Sequence, residues 1–245
     1  MPAALIELSF ILMNSRNIGS RVTSESWDYH RKQECLVLQD TVKKASITRY
    51  LLWFVLGGLC FFISQPLIRI PILNWVQSTT QFSMFAIFHP LPAGILIGLS
   101  AGVAEESFRF IFKQFFMKPA RTSIVQPVIF GCGHGLVEAA MVLGPAIFAG
   151  YSLMDLSWGI VERIIAVTMH VSFTIVVWNG FQIDKRALYL ILAILLHGAV
   201  DGSIPFFYHF NLSVPTIEGI LAAMALGLVL YSFKSRKYYI KGGET

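Results

Sequence analysis

The chain has 245 residues, 55% of them hydrophobic and 13% charged, with a formal net charge of +5 and a mean hydropathy of +0.64. Water-soluble domains carry about 25% charged residues, so a soluble globular enzyme is excluded and lipid must be the main solvent. The basic excess lies at the ends of apolar runs, where it reports topology, and this excludes a nucleic-acid partner.

In chain order, the apolar stretch Pro2 to Met13 contains Glu7, lacks a basic start and is too short to span. It is neither a signal peptide nor a membrane helix, and suits the membrane surface. Residues 14–49 are polar and mixed in charge, with Arg31-Lys32 and Lys43-Lys44, so residues 1–49 read as a cytoplasmic leader. A hydrocarbon core of about 30 Å needs about 20 helical residues. Six segments meet or approach this: 50–69, 91–116, 123–149, 157–180, 187–207 and 214–233. They predict an all-α, polytopic transmembrane bundle over 50–233, followed by a basic cytoplasmic tail, 234–245. Gln77 to Pro90 is moderately apolar; it either extends the second span or forms a re-entrant segment broken at Pro90 and Pro92.

Lys and Arg alternate between the connections. The leader is rich in them, the next loop has only Arg69, and then come Lys113, Lys118 and Arg121. None surrounds Asp155, Lys185 and Arg186 follow, none lies between Phe206 and Pro215, and the tail carries Lys234, Arg236, Lys237 and Lys241. Both termini are expected in the cytoplasm, with the protein a multi-pass resident of a bacterial cell membrane.

Ionisable groups at bilayer depth cost about 2.5–3.5 kcal/mol on insertion scales and are retained mainly where they pair or work. Glu105, His134, His170 and His197 each lie about ten or eleven residues from the cytoplasmic end of their helix, roughly 15 Å deep at the helical rise. A second layer lies one turn further out. There Glu138 follows His134 by four residues and Asp201 follows His197 by four, where a carboxylate can orient an imidazole. Arg109 stands four residues after Glu105 and three after Glu106, and Glu162 is eight before His170 with Arg163 beside it. His30, His89 and His209 fall in the leader or at loop ends and Glu218 at the interface. A lone polar residue in a span is commonly a packing hydrogen bond, but three histidines and three carboxylates at matched depth point to a site. Gly94, Gly98 and Gly102 form a small-residue ridge on the helix of Glu105, and Gly131, Gly133 and Gly135 surround His134.

Paired carboxylates beside an arginine and histidines suit the activation of water by a glutamate general base, with a histidine or a metal polarising a carbonyl. Equally, imidazoles from several helices can hold Zn²⁺ with an open position for water, their carboxylate neighbours supporting them. Cys35, Cys60 and Cys132 form no CxxC pair, so neither a disulfide framework nor a thiolate metal site is expected. His-Glu-x-x-His and Gly-x-Gly-Asp are both absent. Gly98 to Gly102 matches Gly-x-Ser-x-Gly, but without a strand–turn–helix setting Ser100 reads as a packing residue.

The run Ala101 to Arg109, then Gly131 to Glu138, then Val161-Glu162-Arg163 with His170, and finally Leu196 to Asp201 together resemble the YhfC family of intramembrane metalloproteases. More distantly, Glu-Glu with a following arginine and two later helix histidines resembles the CAAX-protease and PrsW-type membrane peptidases, although Arg109 stands one position closer than in that pattern. The resemblance spans roughly 50–233 and implies hydrolysis of a peptide bond in a membrane protein or lipidated peptide substrate within the lipid bilayer. It implies Glu105 or Glu106 as water activator, His134 and His197 completing the site, and Glu138, Glu162, His170 and Asp201 in the same polar cluster. His134, His170, His197, Glu138, Glu162 and Asp201 are thus candidate ligands of Zn²⁺, and Glu105, Glu106, Arg109, His134 and His197 candidate catalytic residues. Two other classes use the same residues: a proton or divalent-metal transporter, favoured by helices broken at mid-depth, of which none is evident in the sequence, and a non-catalytic scaffold or immunity-type membrane protein.

Overall fold

The computed structural model describes residues 47–240; the leader, with His30 and Cys35, and the end of the tail lie outside the described residues. The chain divides at Thr48, and the unit that begins at Arg49 is the membrane domain. Its helices are α1 (Ile47–Ser78), α2 (Thr80–Phe88), α3 (Pro90–Phe115), α4 (Val125–Phe148), α5 (Ser157–Gln182), α6 (Arg186–His209) and α7 (Val214–Ser235), with a 3₁₀ turn at Arg236–Tyr238. No strand occurs among the described residues. The links from α5 to α6 and from α6 to α7 are short and turn at Asp184 and Asn211, both with positive φ, which makes these helices antiparallel neighbours.

Five helices, α1, α4, α5, α6 and α7, are long and apolar enough to cross a membrane. The sixth expected span, α3, has 26 residues and a length of about 39 Å, but it carries Glu105, Glu106, Arg109 and Lys113. All four are buried, while Leu59 of α1, Ile191 and Leu195 of α6 and Leu226 and Leu230 of α7 face outward. Charge inside and hydrocarbon outside is the arrangement lipid imposes.

The first span differs from expectation. It runs past residue 69 to Ser78, and over Ile63–Arg69 it is wound as a π-helix containing Pro66. Proline has no N–H to donate, and Ile70 N–H reaches back five residues to the Gln65 carbonyl. Gln77 to Pro90 is accordingly not a continuous extension of α3 but contains a separate short helix, α2. The chain breaks at Thr79, whose hydroxyl accepts from Phe82 N at 3.3 Å as the cap of α2, and again before Pro90.

Glycines set the distances between helices. On α3 a Cβ at Gly98 would lie 2.7 Å from the Asp201 backbone and one at Gly102 2.6 Å from Gly198 N, which fixes α3 against α6. Gly133 of α4 packs on the Phe54 carbonyl of α1, and Gly57 of α1 packs on Phe130 and His134 of α4. One core cluster gathers Cys60, Phe112, Phe130, Trp178 and Phe181, and a second Met169, Phe173, Ile217 and Leu221. Lys113, expected in a loop, is buried; its Nζ donates to the Met117 and Pro119 carbonyls at 3.0 Å and to Gln126 Oε1 at 2.7 Å, pinning the turn between α3 and α4. The chain beyond α7 also docks inward, with Tyr239 Oη donating to the Ile175 carbonyl at 3.2 Å.

Candidate active site

Adjacent residues on a helix point about 100° apart, so Glu105 and Glu106 serve different neighbours. Glu106 is fully buried; its Oε1 lies 2.6 Å from His197 Nδ1 and accepts from Arg109 Nη1. Glu105 faces the other way, with Oε2 at 2.8 Å from His134 Nε2 and Oε1 accepting from Gln65 Nε2 of α1. Arg109, one turn on, reaches both carboxylates, at 3.3 Å to Glu105 Oε2, and donates to His170 Nδ1 at 2.7 Å.

The three histidines arrive from α4, α5 and α6. Gly131 and Gly135 allow α4 to lie against Val171 and Val167 of α5, which brings the His134 and His170 rings to 5.0 Å between centroids. His134 is held edge-on against Phe61, and His197 stacks on Phe173 at 4.7 Å with 9° between planes. His170 and His197 are 5.6 Å apart. The carboxylates of the outer layer divide. Asp201 Oδ2 stands 3.6 Å from His197 Nε2, on the same helix. Glu138 turns away from His134 to α5, with Oε2 at 2.5 Å from His170 Nε2, because Arg163 Nη1 holds its other oxygen at 2.7 Å. Arg163 also pairs with Glu162.

A cavity of about 300 Å³ opens over this cluster. Glu105, Glu138, Glu162, His170, His197 and Asp201 line it, together with Phe61, Met169 and Phe173; Glu106, Arg109 and His134 stand behind them. Gln65 and Arg69 also line it. The sequence does not point to these two: its charge pattern puts Arg69 in a loop, whereas Arg69 lies within α1 and reaches Ser100, Gln65 and the Ile97 carbonyl. The available signal was the polar pair four residues apart directly after the apolar run. Ser100 accepts from Arg69 and donates to the Ile97 carbonyl at 2.6 Å, so its hydroxyl is engaged and not poised as a nucleophile. His89 and His209 lie at helix ends, away from the cluster, and Glu218 is buried near the start of α7.

Glu105, His134, Glu138 and His170 each offer a ligand atom within 4.8 Å of the others. Two imidazoles and two carboxylates are a donor set that Zn²⁺ accepts. His134 Nδ1 and Glu138 Oε2 are buried without a hydrogen bond, although the latter touches His170. With every carboxyl ionised, five acids (Glu105, Glu106, Glu138, Glu162, Asp201) against three guanidiniums (Arg69, Arg109, Arg163) leave an excess of negative charge, which a cation among them offsets. The residues therefore fit such an ion. His197, Asp201 and Glu162 lie outside the tight quartet; the nearest approach of His197 to Glu105 is 4.0 Å.

No solved structure matches this chain. It is 28% identical to the uncharacterized membrane protein YhfC of Bacillus subtilis (strain 168), over an alignment of 178 residues that covers 59% of this chain and 68% of that protein. The profile of the YhfC intramembrane metalloprotease family matches residues 41–147 and 146–221. These stretches contain α1 to α6, all the residues of the carboxylate–histidine cluster, and the start of α7 with Glu218, and the chain belongs to that family.

Proposed function

We propose that the protein hydrolyses peptide bonds at membrane depth, with Glu105 as the group that activates water. The observation that carries this is the division of labour between neighbouring glutamates. Glu106 is closed off by Arg109 and His197, whereas Glu105 lines the cavity and is aimed by Gln65 and His134. Glu105 takes a proton from a water in the cavity as that water attacks the substrate carbonyl, and returns it to the leaving amine. His197, set by Glu106 at Nδ1 and by stacking on Phe173, presents Nε2 to the same space and, as the imidazolium, donates to the oxygen on which negative charge develops. Arg109 holds Glu106 and, through His170, the face of the site nearest Glu138. Phe61, Met169 and Phe173 limit the water that enters.

His134, His170 and Glu138 would hold a zinc ion, with Glu105 alongside. Zinc bound there supplies Lewis acidity toward a carbonyl and makes a bound water acidic. The substrate is a membrane protein segment or a lipidated peptide, since the cavity lies between helices whose outer faces are apolar. Cleavage of reporter segments in proteoliposomes tests this: Glu105→Gln should lower turnover by about 10²–10⁴-fold in protein that still folds. Retained activity in that variant would refute the role of Glu105.

One observation favours a second reading, transport of protons or a divalent metal. The π-helical, Pro66-containing stretch interrupts α1 beside the site, as in helices that line ion paths. Ion flux without proteolysis in the same proteoliposomes would decide for it.

A further inference from the structure

Three arginines stand in or beside the cavity, and two have counter-ions. Arg109 pairs with Glu105 and Glu106, and Arg163 with Glu138 and Glu162. Arg69 forms no ion pair among the described residues. Its Nε donates to Ser100 Oγ at 2.9 Å, Nη1 to Gln65 Oε1 at 2.9 Å and Nη2 to the Ile97 carbonyl at 2.7 Å, all neutral acceptors. A guanidinium carries five N–H groups, so two remain. Glu105 and Asp201 act on this charge only from beyond ion-pair range, and the three bonds fix its direction without giving it a charged partner. Snorkelling does not account for it, because α1 continues nine residues beyond Arg69 and the side chain turns inward to α3.

We propose that Arg69 is the receptor for a peptide carboxylate in the cavity, so that the ligand is an apolar peptide bearing a free carboxylate. Gln65 supplies the geometry. Its carbonyl oxygen accepts from Arg69 while its amide nitrogen donates to Glu105, so the free charge lies one amide away from the carboxylate that faces the cavity. A peptide anchored at Arg69 therefore lays its backbone beside Glu105. Phe61, Met169, Phe173 and Leu221 give the same space apolar walls, which suit apolar side chains. Glu105 and Asp201 line it too and disfavour multiply charged anions such as phosphate. The inference names the ligand class for the hydrolytic site proposed above, but binding alone reports on it.

The test uses the full chain in phosphatidylcholine nanodiscs and an N-acetylated apolar tripeptide, as free acid and as C-terminal amide, titrated by calorimetry. Wild type should bind the acid about tenfold or more tightly than the amide, as a charge-assisted hydrogen bond implies. Arg69→Gln should bind both with the affinity for the amide. Arg69→Lys keeps the charge but cannot hold three protein acceptors and a ligand at once, so its preference must fall; this variant decides if Arg69→Gln folds poorly. Equal binding of acid and amide by wild type overturns the proposal, as does an undiminished preference in either variant. A preference for phosphatidylglycerol that depends on Arg69, with both peptides bound alike, also overturns it. Because no turnover is read, failure here leaves the Glu105→Gln experiment standing, and the converse holds.

Discussion

Arg109 of α3 donates to Nδ1 of His170 of α5 at 2.7 Å, and because a guanidinium has donors only, the imidazole must accept there. The neutral ring therefore carries its proton on Nε2, 2.5 Å from Glu138 Oε2, and a zinc ion held by this pair would take that proton's place. The same guanidinium, fully buried, is bonded to Glu106, which in turn holds His197 of α6. One arginine thus fixes the tautomer of one histidine and the placement of another.

Removing this arginine leaves two buried carboxylates without their counter-ion. Arg109→Gln should cost about 3–5 kcal/mol of stability, read as unfolding in mixed detergent. Adding Glu106→Gln to that variant removes one uncompensated charge and should restore part of the loss. A single variant as stable as wild type would mean that the pairing contributes nothing to the fold.

The approach of α1 to α4 depends on the absence of a side chain at Gly133, where a Cβ would overlap the Phe54 carbonyl. Gly133→Ala should therefore destabilise by about 1–3 kcal/mol and move His134 relative to Phe61. Gly219→Ala on α7 meets nothing within 4 Å and should be neutral or stabilising by about 0.5–1 kcal/mol. Equal effects from the two substitutions, measured side by side, would contradict the close packing of these helices.

Gln65 orients Glu105 from a different helix. Gln65→Leu keeps the volume and removes the donor, and should lower turnover about 10–100-fold with little change in folded yield. Kinetics alongside a thermal melt separate the two effects; full activity would mean that Glu105 is aimed by His134 alone.

Much of this arrangement is visible in the sequence. Apolar run length marks the bundle, and equal depth marks the layer of Glu105, His134, His170 and His197, because rise per residue converts sequence position directly into height. Rotation about each helix axis is not encoded so locally. Glu138 is four residues from His134 and shares its face, yet it pairs with His170, since Arg163 of α5 claims its other oxygen. Gln65 and Arg69 are hidden in the sequence because the apolar run ends at the arginine. The described helix instead continues to Ser78, through a π-helical stretch at Pro66. The same-helix spacing of Arg109 with both glutamates was legible, whereas its bond to His170 across 61 residues was not.

The proposal that the buried carboxylate–histidine cluster holds a metal ion is tested most directly by the metal content of purified, tag-free protein in detergent. Elemental analysis should find about one zinc per chain, as expected for a four-donor site, in wild type. The ion should be lost in His134→Ala and in His170→Ala, and retained in His209→Ala, whose ring lies at the end of α6. No bound metal in folded wild type, or zinc retained when both His134 and His170 are replaced, would contradict it.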